Sequence, residues 1–364
     1  MWYEFSNVGD VDSPALLIYP DRAEENARRM ISLAGDPQRL CPHLKTHKLP
    51  ELVQMQMALG ITKFKCATIA EAEMAAGCGA PDVLLAYQPV GPKAQRFIRL
   101  IKKFPQTSFA AIADDAQTIR HLSSLATQAG VRIKILLDID CGMHRCGVPA
   151  GPKAVELYRL IASLPGLEPH GLHVYDGHIE DEDSAVRAKN CDAAFAPVMA
   201  LRHELSDLPV PRIVAGGTLT FPIHARRPGV ECSPGTCLLW DLSYGGSYPD
   251  LDFLYAALVL TRVVSKPGGN RLCLDLGHKA IGSEKPHPRV QFLNLPDARA
   301  IVHSEEHLVV ETARASEFAV GDVLYGIPKH VCPTVALHAK AVIIKNGVAT
   351  GRWKITARDR MLSV

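Results

Sequence analysis

A cluster of two lysines and two histidines stands near the start of the chain, in the run Cys41-Pro42-His43-Leu44-Lys45-Thr46-His47-Lys48. Imidazole groups and a helix N-terminus, which is predicted directly after this run, are surroundings that lower the pKa of a lysine. A lysine with a lowered pKa can form a Schiff base with a carbonyl compound. The run is therefore either a catalytic lysine with His43 and His47 in its pocket, or an ordinary solvated group of charges.

A second candidate site is an anion-binding loop at Gly216-Gly217-Thr218. Two glycines let the backbone approach an anion closely, and the threonine adds a hydroxyl donor. A pair of glycines is more often a simple turn, so the three residues alone leave both interpretations open.

A third candidate is a pair of metal ligands at His330 and Cys332, in the segment Pro328-Lys329-His330-Val331-Cys332-Pro333-Thr334. On an extended chain, side chains two residues apart point the same way. Imidazole and thiolate suit zinc, but two ligands alone are a weak indication of a metal site.

Apolar, β-rich runs alternate with amphipathic helical patterns over the first two thirds of the chain, which is typical of α/β proteins. The predicted strands are Arg39–Lys45, Lys63–Ala67, Asp82–Tyr87, Ser108–Ala113, Arg132–Asp138, Gly171–Tyr175, Arg212–Ala215 and Thr236–Trp240. Eight β-then-α units without the glycine fingerprint of a dinucleotide-binding fold predict a TIM (β/α)8 barrel.

Most of the unusual residues lie at the ends of predicted strands or in the loops that follow them. Because the active sites of such barrels lie at the C-terminal ends of the strands, we expect these residues to form one site. They are Lys45, Gln88, Arg145, Tyr175, His178, Gly216, Gly217 and Thr218.

The pattern changes after about residue 241, where short β-rich runs are separated by turn signals such as Asn346-Gly347. These features predict a second domain made mainly of strands. We expect the barrel to cover residues 15–240 and the β-domain residues 241–364.

Several of these motifs resemble those of the D-threonine aldolase / D-serine dehydratase family, whose members are pyridoxal-phosphate enzymes related to alanine racemase. The run Pro42–Lys48 is similar to the family signature "PH-x-K-T-H-K", and His330–Thr334 is similar to "H-x-C-P-T". The segment Asp138–Gly147 resembles "D-x-G-x-x-R-x-G", and Tyr175–His178 resembles "Y-x-G-H".

The resemblance implies a role for each matching residue. Lys45 would carry pyridoxal 5'-phosphate, and the loop at residues 216–218 would hold its phosphate. Arg145 would contact the phenolic oxygen of the cofactor or lie beside its ring, and Tyr175 would lie beneath it. His330 and Cys332 would bind a divalent metal, zinc by preference, with manganese or cobalt also possible. His43, His47, Gln88 and His178 would be residues of the pocket.

The resemblance also implies an alanine racemase-like (fold type III) architecture, in which residues 1–14 return to the β-domain, and a homodimer. The implied activity is cleavage of a D-3-hydroxy amino acid to glycine and an aldehyde. Dehydration of D-serine or 3-hydroxyaspartate is the first alternative. An amino-acid racemase and a non-enzymatic pyridoxal-phosphate carrier are further alternatives, which leave the metal pair and the β-domain, respectively, unexplained.

Composition excludes several other classes of protein. The formal net charge is +2, and no basic run suggests nucleic-acid binding. The longest apolar run, Phe253–Leu260, is too short to span a bilayer. The first ten residues lack the pattern of a signal peptide, so a cytoplasmic protein is expected.

Overall fold

The computed structural model describes residues 1–364. The strands are β1 (Ala15–Ile18), β2 (Lys63–Cys66), β3 (Asp82–Leu85), β4 (Ser108–Ala113), β5 (Ile133–Asp140), β6 (Val148–Pro149), β7 (Leu167–Val174), β8 (Ile213–Ala215), β9 (Val230–Cys232), β10 (Ala257–Ser265), β11 (Arg271–Leu274), β12 (Val290–Phe292), β13 (Arg299–His303), β14 (Leu308–Glu311), β15 (Val323–Pro328), β16 (Lys340–Lys345) and β17 (Val348–Lys354).

The helices are α1 (Pro20–Ala34), α2 (Pro50–Ala58), α3 (Ile69–Gly77), α4 (Pro92–Lys103), α5 (Ala116–Ala129), α6 (Pro152–Ser163), α7 (Ser184–Glu204), α8 (Phe221–His224), α9 (Leu242–Ser247) and α10 (Val331–Leu337). None of them combines the length and the apolar character that crossing a membrane requires.

The chain forms two compact units, each built from several stretches of sequence. The barrel unit comprises residues 28–45, 53–235 and 359–364, and the strand unit comprises residues 1–27, 46–52 and 236–358. The units differ from the predicted ranges 15–240 and 241–364 in four short segments. Residues 15–27, 46–52 and 236–240 belong to the strand unit, and residues 359–364 belong to the barrel unit.

A curled parallel sheet in the order β2-β3-β4-β5-β7-β8-β9 organises the barrel unit. Single backbone bridges from Leu40 to Cys232 and from His43 to Lys65 connect residues 40–43 to both edge strands. The sheet encloses a small apolar cluster. It consists of Cys41, Leu84, Ala110, Ile112, Leu136 and Val214.

Two of the predicted barrel strands need correction. The eighth strand is β9, and the predicted strand Thr236–Trp240 is wrong because residues Thr236–Leu238 form a 3-10 turn. That run is apolar because it is buried, and apolar character alone does not distinguish a strand from a buried turn. The predicted strand Arg39–Lys45 is reduced to residues 40–43, since Pro42 offers no N–H group and Leu44–Thr46 form another 3-10 turn.

The strand unit contains a sheet in the order β13-β14-β11-β10-β1-β16-β17, to which β12 and β15 are joined through pairing of β15 with β10. The N-terminal strand β1 lies inside this sheet, antiparallel to β10 and parallel to β16. One face packs around Tyr3, Leu17, Leu258 and Tyr325. A second cluster surrounds Leu272, Phe292 and Leu308.

Candidate active site

Lys45 follows the short barrel segment at residues 40–43, as predicted, and stands in the 3-10 turn Leu44–Thr46. Its backbone N–H donates to Nδ1 of His43 at 3.3 Å. Its side chain is half-buried, and Nζ lies 5.8 Å from the centre of the Tyr175 ring. The turn therefore directs the amine of Lys45 toward a residue that follows β7.

Three cations surround the ring of Tyr175. Besides Lys45, the Nζ of Lys65 lies 5.6 Å and the guanidinium carbon of Arg145 lies 4.9 Å from the ring centre. These distances fall within the range of cation–π attraction. Positive charge therefore comes from the turn after residues 40–43, from β2 and from the loop after β5, which suits an anionic ligand.

Lys65 is the member of this group that the sequence analysis missed. Its side chain is buried, and Nζ donates to Oγ of Ser233 at 2.5 Å. Burial, together with the smaller effect of the neighbouring charge of Lys45, lowers the pKa of Lys65 to about 7. Its place between Phe64 and Cys66, inside the predicted strand Lys63–Ala67, is the signal that could have revealed it.

A buried histidine–aspartate pair lies beside these cations. Nδ1 of His173 is 2.6 Å from Oδ1 of Asp138, and burial lowers the pKa of His173 although Asp138 opposes the shift. The imidazole is therefore neutral, with its proton on Nδ1, while the buried Nε2 has no hydrogen-bond partner. His173 lines a small cavity of about 20 Å³ together with Arg145 and Tyr175. Sequence reasoning missed His173.

The loop at residues 216–218 follows β8, and its two glycines lie close to neighbouring side chains. Gly216 has a φ of +80°, and a Cβ atom there would come within 2.8 Å of Cδ2 of His224. A Cβ atom on Gly217 would lie 3.2 Å from Cε2 of Tyr175. The buried Thr218 accepts a hydrogen bond from the backbone N–H of Gly235 at 3.3 Å. The loop therefore packs tightly and presents backbone where side chains would clash.

Behind this loop lie three buried side chains, Asp176, Cys191 and His224, whose possible ligand atoms are all within 4.8 Å of one another. By distance alone the three residues could hold a metal ion. They also contact each other directly, with His224 Nε2 lying 2.8 Å from Asp176 Oδ2 and 3.4 Å from Cys191 Sγ. This cluster was not predictable from the sequence, because its members are far apart along the chain.

The predicted metal ligands His330 and Cys332 belong to the strand unit. His330 precedes α10 as its N-terminal cap, and Cys332 lies in the first turn of that helix and not on an extended chain. Nδ1 of His330 forms a short hydrogen bond with Glu284. Burial alone would lower the pKa of His330, but Cys332 and Glu284 raise it to about 9. Helix α10 thus brings both candidate ligands together beside a carboxylate.

The predicted pocket residues have diverse surroundings. Burial lowers the pKa of His47 to about 3, and its Nδ1 accepts the backbone N–H of Leu49 at 3.1 Å. Oε1 of Gln88 accepts two backbone N–H groups, at 2.9 and 3.3 Å, from the residues that follow β4. His178 packs against Gly142, where a Cβ atom would come within 2.7 Å of its Nε2. Gln88 and His178 therefore support loops at the same end of the barrel.

Comparisons with known proteins place this geometry in context. Residues 18–239 match the model of the alanine racemase N-terminal domain, and residues 256–344 match that of a putative serine dehydratase domain. D-threonine aldolase of Arthrobacter sp is 31% identical over 358 residues, which cover 96% of this chain and 93% of the relative. 3-hydroxy-D-aspartate aldolase of Paracoccus denitrificans (strain Pd 1222) is 30% identical over 365 residues, with the same coverage of 96% and 93%.

A solved structure is similar over nearly the whole chain. The crystal structure of D-threonine aldolase from Filomicrobium marinum superposes with a TM-score of 0.89 and 29% identity, covering 96% of this chain and 97% of that one. Together with the family matches, this similarity confirms the predicted fold class of a (β/α) barrel followed by a mainly β domain, as in alanine racemase.

Proposed function

Since this chain belongs to the D-threonine aldolase and D-serine dehydratase family of alanine racemase-like, pyridoxal-phosphate-dependent lyases, we propose that it cleaves a D-configured 3-hydroxy amino acid to glycine and an aldehyde. The observation that carries this proposal is the group of three cations around Tyr175, beside a glycine loop.

The residues of the barrel unit fit pyridoxal phosphate. Lys45 would hold it covalently, and the cations around Tyr175 complement its negative charge. The loop at residues 216–218 would hold the phosphate group, since its two glycines carry no side chain that keeps an anion away from the backbone. The unpartnered Nε2 of His173 would accept a hydrogen bond from the bound molecules. When bound, the cofactor supplies an electron sink for the breaking bond at the substrate Cα.

Lys65 and His173 would act on protons in this site. The pKa of Lys65, lowered to about 7 by burial, lets its amine gain or lose a proton near neutral pH. Asp138 accepts a hydrogen bond from Nδ1–H of His173, which leaves the basic lone pair on Nε2. Both residues are held rigidly, by Ser233 and Asp138 respectively, so their positions do not depend on the ligand.

We propose His330 and Cys332 as the ligands of a divalent metal. The thiolate favours zinc, although manganese or cobalt could also serve. The contact between Glu284 and His330 Nδ1 resembles the carboxylate–histidine pairs that orient metal ligands, and it leaves Nε2 for the ion. A metal ion there would supply Lewis acidity toward a hydroxyl oxygen.

A dehydratase is the second candidate function, and the match of residues 256–344 to the serine dehydratase domain favours it. The two activities use the same kind of substrate and differ in products. Incubation with D-threonine should give glycine and acetaldehyde, whereas dehydration of D-serine would give pyruvate and ammonia. The variant Lys45→Ala, assayed in parallel, should form none of these products. Formation of the L-enantiomer alone would instead indicate a racemase.

We also propose a homodimer. Light scattering after size exclusion should give twice the 39.6 kDa mass of one chain. A mass of one chain across the micromolar range would contradict this proposal.

A further inference from the structure

A continuous series of hydrogen bonds runs behind the glycine loop at residues 216–218. It joins Arg227, His224, Asp176 and Thr220 to the backbone of Gly217. We infer that this series, here called the relay, positions the loop and thereby sets how tightly the phosphate group of the cofactor binds. The inference rests on the proposed function, since it assumes that this loop holds that phosphate.

The donors and acceptors of the relay have only one consistent arrangement. The guanidinium of Arg227 can only donate, so Nδ1 of His224, 2.7 Å away, must accept. The proton of the neutral imidazole then lies on Nε2, which donates to Asp176 Oδ2 at 2.8 Å. The single hydroxyl proton of Thr220 goes to Asp176 Oδ1 at 2.7 Å.

Thr220 connects these side chains to the loop. Because its proton is committed to Asp176, its oxygen accepts the backbone N–H of Gly217, at 3.1 Å. The ring of His224 also packs against Gly216, where a Cβ atom would lie 2.8 Å from Cδ2. The relay therefore holds both glycines, one by a hydrogen bond and one by contact.

Burial makes the relay rigid. Asp176, Thr220 and His224 are between 1% and 3% exposed. Water cannot reach them to replace a lost hydrogen-bond partner, so each lost bond costs free energy. Arg227 is fixed from the other side by a short ion pair with Asp192, and its guanidinium carbon lies 4.7 Å from the centre of the Phe195 ring. Phe195 in turn packs edge-on against His224, with 5.0 Å between the ring centres.

The same side chains are poorly suited to a metal ion. A cation beside Asp176 and His224 would face the guanidinium of Arg227, which also lies 3.7 Å from Cys191 Sγ. Nδ1 of His224 is already occupied by Arg227, and both carboxylate oxygens of Asp176 already accept hydrogen bonds. The guanidinium of Arg227 therefore already supplies the positive charge of this cluster. We therefore assign Cys191 a marginal role, as a weak thiol donor at 3.7 Å from Asp176 Oδ2.

Two substitutions test the relay with little change in shape. Thr220→Val removes the hydroxyl group. Asp176→Asn replaces one carboxylate oxygen, which accepts a hydrogen bond, by an amide NH2 group, which only donates and must face either His224 or Thr220. Thr220→Ser keeps the hydroxyl group, and Cys191→Ala removes only the marginal thiol. For each protein, freed of cofactor, the dissociation constants of pyridoxal phosphate and of pyridoxal are measured by fluorescence quenching, and the metal content of the purified protein is determined.

Thr220→Val and Asp176→Asn should each weaken pyridoxal phosphate binding about tenfold, the effect expected of one lost hydrogen bond to a charged group, and leave pyridoxal binding unchanged. Thr220→Ser and Cys191→Ala should bind both compounds like the parent. Equal weakening of both compounds, or no weakening by Thr220→Val, would overturn the inference. So would a stoichiometric metal ion that is lost in Cys191→Ala. If the parent protein bound neither compound, the proposed function itself would fail, which is a distinct result.

Discussion

Lys65 lies as close to the ring of Tyr175 as Lys45 does, with Nζ-to-centre distances of 5.6 and 5.8 Å. Two amines therefore compete for the role of cofactor lysine. Only Lys65 is fully buried and tied to Ser233, whereas Lys45 is half-buried in a turn. The more accessible amine is the better candidate for a bond that must form and break in each turnover.

We predict that borohydride reduction of the protein loaded with pyridoxal phosphate attaches the cofactor irreversibly to Lys45. Peptide mapping by mass spectrometry identifies the labelled residue. Lys45→Ala should lose the label, while Lys65→Met, which keeps an unbranched apolar stem in the buried site, should retain it. Labelling of Lys65 in the parent protein would refute the assignment.

The stability of the cofactor-free protein should depend on pH through Lys65. Its pKa is about 7 when folded, against an ordinary value of 10.5. Between these values the unfolded chain holds a proton that the folded chain has released, so stability rises with pH. Urea unfolding of the parent and of Lys65→Met at pH 7 and pH 9.5 should show the parent gaining stability relative to the variant. A constant difference would mean that Lys65 is not desolvated as the structure indicates.

Removal of one proposed metal ligand should remove the metal without unfolding the protein. A catalytic site with few protein ligands contributes little to folding compared with a closed structural site. Cys332→Ala should lose bound zinc and lyase activity but keep its melting temperature within about 3 °C, since a change of 1 kcal/mol shifts it by a few degrees. The half-buried Cys273, on β11, provides the control Cys273→Ala, which should keep both zinc and activity. Full zinc content in Cys332→Ala would exclude this metal site.

The glycine loop allows a matched test of close packing. Gly216 and Gly229 have similar φ angles, +80° and +74°, but only a Cβ atom at Gly216 would meet a neighbour, His224. Both alanine variants should lose about 1 kcal/mol or more through backbone strain. Gly216→Ala alone should also bind pyridoxal phosphate more weakly, as measured by fluorescence titration. Equal affinities in the two variants would show that the loop does not contact the cofactor.

Much of the barrel could be predicted from the sequence where burial and turn signals agree. The strand Ser108–Ala113 has the predicted bounds because Asp115 caps the following helix, accepting the N–H of Thr118 at 2.7 Å. The predicted strand Thr236–Trp240 failed because its residues are buried in a turn, and a short apolar run carries no signal of its backbone conformation. A capping residue therefore made the end of one strand predictable, whereas burial alone did not reveal the backbone conformation of the other segment.

The candidate site was only partly predictable, for a related reason. Lys45, Arg145 and Tyr175 stand in distinctive motifs, and the structure brings all three together. Lys65 and His173 lie inside strands, and their importance follows from partners that only folding supplies. The relay is the extreme case, since its residues are scattered between positions 176 and 227 and form a unit only through hydrogen bonds.

We propose that this protein is a pyridoxal-phosphate-dependent lyase acting on D-3-hydroxy amino acids. Proton NMR in D2O, with the loaded protein and D-threonine, tests it most directly because every candidate reaction gives a distinct spectrum. We predict equimolar glycine and acetaldehyde, with no reaction of L-threonine and none in Lys45→Ala. Exchange of the Cα proton for deuterium together with formation of the Cα epimer, and no acetaldehyde or keto acid, would show that the protein is a racemase and not a lyase.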